Sequence, residues 1–129
     1  SCSGSRRLGR RRRWGRMSDT MTAPEWQLLA TERQLQDTLW ACAKRCGWEA
    51  YHTHDSRRSE PGFPDLVCVK AGRILFFEIK KQGGGVRPEQ RRWIAALADV
   101  PMVLAAVVRP IPKADGELSF DDALEELTR

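Results

Sequence analysis

The sequence predicts an α/β domain in which helices flank a mixed four-strand sheet. Three observations carry this. Segments 66–70 and 73–81 are two largely apolar arms about an Ala71-Gly72 turn, which reads as an antiparallel hairpin. The run 102–108, MVLAAVV, is continuously apolar, as in a strand covered on both faces. Segments on either side of the hairpin repeat their apolar residues at helical spacing.

The elements follow in order. Residues 24–46 read as one helix, ended by Gly47 beyond its last turn. Its apolar stripe is Leu28, Leu35, Leu39, Cys42 and Cys46, and position 32 on that stripe is a glutamate. Residues 48–54 alternate like a strand, and 55–61, DSRRSEP, form a polar loop closed by proline. After the hairpin, QGGG at 82–85 is a flexible connector. Pro88 then opens a helix to about residue 98, with Gln90, Trp93, Ile94 and Leu97 on one face. Ser119 and Asp122 make a capping-box-like start to a short amphipathic helix through Leu127. The expected order is α-β-β-β-α-β-α, without internal repeats.

A chain of 129 residues suffices for one domain with a real core. No run approaches the roughly 18 apolar residues of a membrane span, and no apolar segment of a secretory signal follows the basic start. Cys2, Cys42, Cys46 and Cys68 include no CxxC pair and read as reduced thiols of a cytosolic protein. The net charge of +5 is unevenly spread. Residues 1–16 hold seven arginines and no acid, whereas the other 113 residues carry 15 basic and 17 acidic groups. Residues 1–23 are therefore expected to be a disordered basic tail and 24–129 the folded domain. The tail is open to two readings: an arm that binds nucleic acid, or a leader ahead of a start at Met17 or Met21.

The hairpin places charges where packing is expected. Opposite pairing about Ala71-Gly72 brings together residues whose numbers sum to 143, so Asp65 faces Glu78. Lys80, two residues on, shares the face of Glu78, while Leu75, Phe77 and Ile79 take the other. Paired carboxylates repel unless a cation neutralises them, and hard oxygen donors suit Mg²⁺ or Mn²⁺. Lys80 beside them can orient a water and stabilise charge on a phosphoryl group. Glu32 can add an oxygen and Gln90 a hydrogen bond. Each feature has a plainer explanation alone: Glu-x-Lys is a common surface pair, Glu32 suits the first turn of a helix starting near Thr31, and Gln90 suits a helix surface. Their conjunction is what packing does not explain.

With GFPDL at 62–66, FFEIKK at 76–81, EQRRW at 89–93 and TERQLQ at 31–36, the chain resembles the PD-(D/E)xK nuclease superfamily, and within it the compact, phage-type VRR-NUC domain. The resemblance spans about residues 28–110 and includes the closing VVRP at 107–110. It implies a restriction-endonuclease-like core, α-β-β-β-α-β, and metal-dependent hydrolysis of branched or structured DNA by a homodimer related to Holliday-junction resolvases, in replication, recombination or repair. It implies Glu32, Asp65 and Glu78 as acids of a metal site with the Ile79 carbonyl beside them. Lys80 would be the catalytic lysine and Gln90 the glutamine of the following helix. Arg87-Pro88 departs from the usual Ser/Thr helix cap.

DNA contacts are expected at Arg57 and Arg58 in the loop, at His52 on its strand and at Arg87, with Arg91 and Arg92 as weaker extensions. Cys42, Cys46, His52 and His54 do not match the usual zinc spacings. The alternative function is a DNA-structure-binding module of the same fold with little cleavage.

Overall fold

The computed structural model describes residues 22–53 and 60–129. Residues 1–21, His54, Arg57 and Arg58 lie outside the described residues, and with them most of the expected tail. Among the described residues, four helices and five strands follow one another. They are α1 (Glu25–Leu29), α2 (Glu32–Arg45), β1 (Glu49–His52), β2 (Leu66–Lys70), β3 (Arg73–Ile79), α3 (Pro88–Ala98), β4 (Val103–Arg109), β5 (Leu118–Ser119) and α4 (Phe120–Leu127). One sheet runs β1-β2-β3-β4-β5, antiparallel through β3 and parallel from β3 to β5. The mixed α/β sheet is as expected, with one strand more than the four the sequence suggests. That strand, β5, has two residues, too few for any periodicity to reveal.

The expected helix over 24–46 is two helices. Ala30 is extended, and Thr31 caps α2: its hydroxyl accepts from the Gln34 amide at 3.1 Å, while Gln34 Oε1 accepts from the Thr31 amide at 2.9 Å. This reciprocal capping box satisfies two amides that a continuous helix would pair internally, so the chain restarts there. Two corrections follow. Leu28 is exposed, and Gln27 is buried in its place, donating to Asp121 Oδ1 at 2.8 Å. Glu32 is the first residue of α2 and only half-buried, rather than part of an inward stripe.

The hairpin register is the expected one. Leu66 pairs with Phe77 and Lys70 with Arg73, so the sum of 143 holds throughout. Ala71 and Gly72 both adopt positive φ, 49° and 80°, as a two-residue turn matched to strand twist requires. Leu75, Phe77 and Ile79 pack with Leu35, Leu39, Phe120 and Leu127 in the core between the sheet, α2 and α4. Phe76 points to the other face, where Phe63 sits edge-on to both Phe76 and Trp93 of α3. Residues 105–109 of β4 are all buried, as the uninterrupted apolar run predicts.

Two end signals read from sequence hold in three dimensions. Pro88 opens α3, and Ser119 Oγ accepts from the Asp122 amide at 3.0 Å to start α4. The first expected strand is shorter than 48–54: Trp48 leaves the ladder, buries its ring in the core and donates from Nε1 to the Leu127 carbonyl at 2.7 Å.

Candidate active site

The GFPD segment delivers Asp65 to the end of β3 for identifiable reasons. Gly62 has φ of +91°, and a Cβ there would lie 2.6 Å from the backbone of Glu89, so only glycine lets the loop touch the start of α3. Phe63 then anchors between Phe76 and Trp93, and Pro64 is buried. Asp65 emerges just ahead of β2, one register step beyond the Leu66–Phe77 pair. Its Oδ2 accepts from the Ile79 amide at 3.0 Å. Its carbonyl accepts from the Thr53 amide at 3.1 Å, which extends the pairing of β1.

Glu78 is 2% exposed and Lys80 7%. Ionisable groups are rarely buried so deeply without compensation. Glu78 Oε2 accepts from Gln90 Nε2 at 2.9 Å, and Lys80 Nζ stands 3.8 Å from the same oxygen. Among the described residues no N–H group donates to Glu78 Oε1, which is buried in the neighbourhood of the Asp65 carboxyl. Burial, then the Asp65 charge, pushes the Glu78 carboxyl up from 4.5 to about 9, with Lys80 pulling the other way. Burial also raises Asp65, partly offset by the Ile79 amide. Both acids would rather hold a proton than stand ionised together.

Gln90, also buried, makes two bonds. While Nε2 donates to Glu78, its Oε1 accepts from the Arg87 amide at 2.9 Å. The missing Ser/Thr cap of α3 is thus half replaced from the third helical position. Arg87 itself is exposed, 3.7 Å from Glu89.

Glu32 approaches this group from α2. The connector passes between, and a Cβ on Gly84 would lie 3.0 Å from Glu32 Oε2 and 3.5 Å from Lys80 Cδ. Among the described residues, no three His, Cys, Asp or Glu side chains are gathered closely enough to hold an ion. Asp65 is turned toward the Ile79 amide and Glu78 toward Gln90, so Glu32, Asp65 and Glu78 do not stand as a ready trio. In kind, the group still fits a hard divalent cation: carboxyl oxygens, one of them without a donor, and a buried Glu78 beside a second acid with one lysine 3.8 Å away.

A cleft of about 260 Å³ opens beside Glu32 and Asp65, bounded by Arg33, Gln36, Asp37, His52 and Thr53. His52 is half-buried with its ring edge-on to Trp40 at 4.9 Å. Arg33, Gln36 and Asp37 join the cleft from α2, and the signal for them in the sequence is the capping box at Thr31, which starts the helix, with Gln36 one turn beyond Glu32. A larger cavity, about 350 Å³, opens at the other end of β3 and β4 between Arg73, Met102 and Glu126, away from Asp65 and Glu78. Cys42, one of the residues tested for zinc spacing, is part of the core.

A hairpin feeding a parallel crossover, with acids and a lysine at the carboxyl end of the shared strand, is compatible with an α/β nuclease core. The comparison with known families makes the assignment specific. The profile of the VRR-NUC domain matches residues 10–109, and the chain belongs to that family of nuclease domains, with the nuclease-type, DNA-processing function it carries. No curated protein matches the chain. None of the described helices is long and apolar enough to cross a membrane.

Proposed function

We propose that this protein is a Mg²⁺- or Mn²⁺-dependent endonuclease that hydrolyses phosphodiester bonds of branched or structured DNA. The observation that carries the reading is the burial of Glu78 against Asp65, Lys80 and Gln90 with one carboxyl oxygen left without a donor among the described residues. A group that only stabilised the fold would gain more from apolar replacement, because burying charge is costly.

Asp65 and Glu78 would hold the cation, with Glu32 and the Ile79 carbonyl beside them. Bound there, it would neutralise the acids and polarise the scissile phosphodiester. Lys80 Nζ, held beside Glu78, orients the attacking water and offsets charge that develops on the phosphoryl oxygens. Gln90 holds Glu78 Oε2, which leaves Oε1 as the oxygen open to the cation. His52, at the rim of the cleft, and the exposed Arg87 would meet the DNA backbone, as would Arg57 and Arg58. A homodimer in the cytoplasm belongs to the same reading, and exposed Trp26 and Leu29 on α1 supply an apolar face for it.

The test is incubation with branched, flap and linear DNA in Mg²⁺, Mn²⁺ or EDTA, beside Glu78→Ala and Lys80→Ala. Metal-dependent cutting that drops at least about a hundredfold in both variants supports the site. Undiminished cutting by Lys80→Ala refutes it. Binding without cutting under either metal identifies a DNA-structure-binding module instead.

A further inference from the structure

We infer that Arg109 is a positioning residue that holds Glu32 and Lys80 in place through the backbone of Gly84. This inference rests on the nuclease reading above and adds a residue to it. Arg109 ends β4 and is 2% exposed. Its Nε donates to Glu117 Oε1 at 2.8 Å and its Nη2 to Glu117 Oε2 at 3.2 Å, a two-pronged pairing that neutralises the buried charge. Nη1 is not needed for that pair. It donates instead to the Gly84 carbonyl at 2.7 Å, with the Gln82 carbonyl at 3.4 Å.

What it grips is otherwise the most permissive stretch of the chain. Gly83, Gly84 and Gly85 carry no side chains to fix their backbone. Gln82 ties down the same turn independently: its Oε1 accepts from the Ile111 amide at 2.8 Å and its Nε2 donates to the Ile111 carbonyl at 3.1 Å. Glu117 is fixed in turn, because Oε1 also accepts from the Lys113 amide at 2.9 Å. Gln82 from within the loop, and Arg109 backed by Glu117 from across it, thus hold a triglycine loop at the carboxyl end of β4.

Gly84 is also where that loop borders the candidate site: a Cβ there would lie 3.0 Å from Glu32 Oε2 and 3.5 Å from Lys80 Cδ. The hydrogen-bonded restraint therefore runs from Glu117 through Arg109 to Gly84, and Gly84 lies beside the acid that α2 contributes and the stem of the lysine. Such outer partners orient ligands without touching substrate. A salt bridge that served the fold alone would leave the cation affinity of the site unchanged when it is replaced by apolar side chains.

The double substitution Arg109→Met/Glu117→Met removes both charges together, so neither is stranded in the core. Gly84→Ala, at a position without positive φ, leaves the pair intact and presses Glu32 outward. Mn²⁺ binding to the full chain is read by calorimetry without DNA, alongside melting curves and cleavage at rising Mn²⁺. The expected result is a Mn²⁺ half-saturation about tenfold higher in the double variant and shifted in the same direction in Gly84→Ala, with cutting largely restored at saturating Mn²⁺. Unchanged half-saturation in a folded double variant overturns the proposal; should the double variant not fold, Arg109→Lys, which keeps a charge for Glu117 but cannot also supply the Nη1 bond to Gly84 in that two-pronged geometry, decides by the same measurement. Glu78→Ala separates the two readings: if it binds Mn²⁺ like the parent, the cation assignment fails, whatever Arg109 does.

Discussion

Gln90 links the start of α3 to the acid of β3: one amide group accepts from the Arg87 backbone at 2.9 Å and donates to Glu78 Oε2 at 2.9 Å. Both atoms of the amide are engaged, which also fixes which way it faces. The position of the helix and the orientation of the carboxyl therefore depend on one side chain. Gln90→Ala removes the cap bond and strips Glu78 of its neutral donor, at an expected cost of about 1–3 kcal/mol. Urea unfolding measures that loss. Cleavage is expected to fall about tenfold, as for loss of an outer-shell partner, and more steeply at limiting Mn²⁺ than at saturation.

The buried Glu78 makes stability depend on pH in a defined direction. Its carboxyl is pushed up from 4.5 to about 9, so between those values the folded chain keeps a proton that the unfolded chain releases. That contribution is complete below pH 4.5 and is lost as pH rises toward 9. Asp65, raised by burial, acts in the same direction. Glu78→Gln has no such proton, so the decline, at most about 1.4 kcal/mol per pH unit for one group, should flatten. Denaturation of both proteins in EDTA at about pH 5 and about pH 8 is the check, and parallel pH dependence in the two would count against it.

Gly62 is expected to tolerate no side chain. Its φ of +91° and the 2.6 Å approach to the Glu89 backbone are both incompatible with alanine. Gly62→Ala should destabilise by about 2–3 kcal/mol through backbone strain and displacement of α3. Because α3 carries Gln90, cleavage should fall even at temperatures where the variant is folded. Calorimetry and a cleavage assay on the same sample separate the two effects.

Ala71 offers the opposite case. It holds φ of 49° in the hairpin turn, a conformation that costs alanine about 1 kcal/mol and asparagine or glycine less. Ala71→Asn should therefore stabilise by about 0.5–1 kcal/mol, with cleavage unchanged because the turn lies at the far end of the hairpin from Asp65 and Glu78. A melting curve with no gain would mean that the turn is not strained.

What could be read from the chain was local or periodic. A two-residue turn and the two-residue repeat of a strand place Asp65 opposite Glu78 with Lys80 alongside, and the hairpin keeps that register from Leu66–Phe77 to Lys70–Arg73. The apolar run of β4, Pro88 and the Ser119 cap are similarly short-range signals. The break at Thr31 was also legible, since Thr31 and Gln34 stand at capping-box spacing, but the apolar stripe read across it. Tertiary structure decided the rest. Only packing could bring Gln90 onto Glu78, Arg109 and Glu117 onto Gly84, and Gly84 onto Glu32, because these partners are separated by stretches whose path no local rule sets. Burial completes the site for the same reason: the proton affinity of Glu78 comes from water excluded by the whole fold, which no single segment can do.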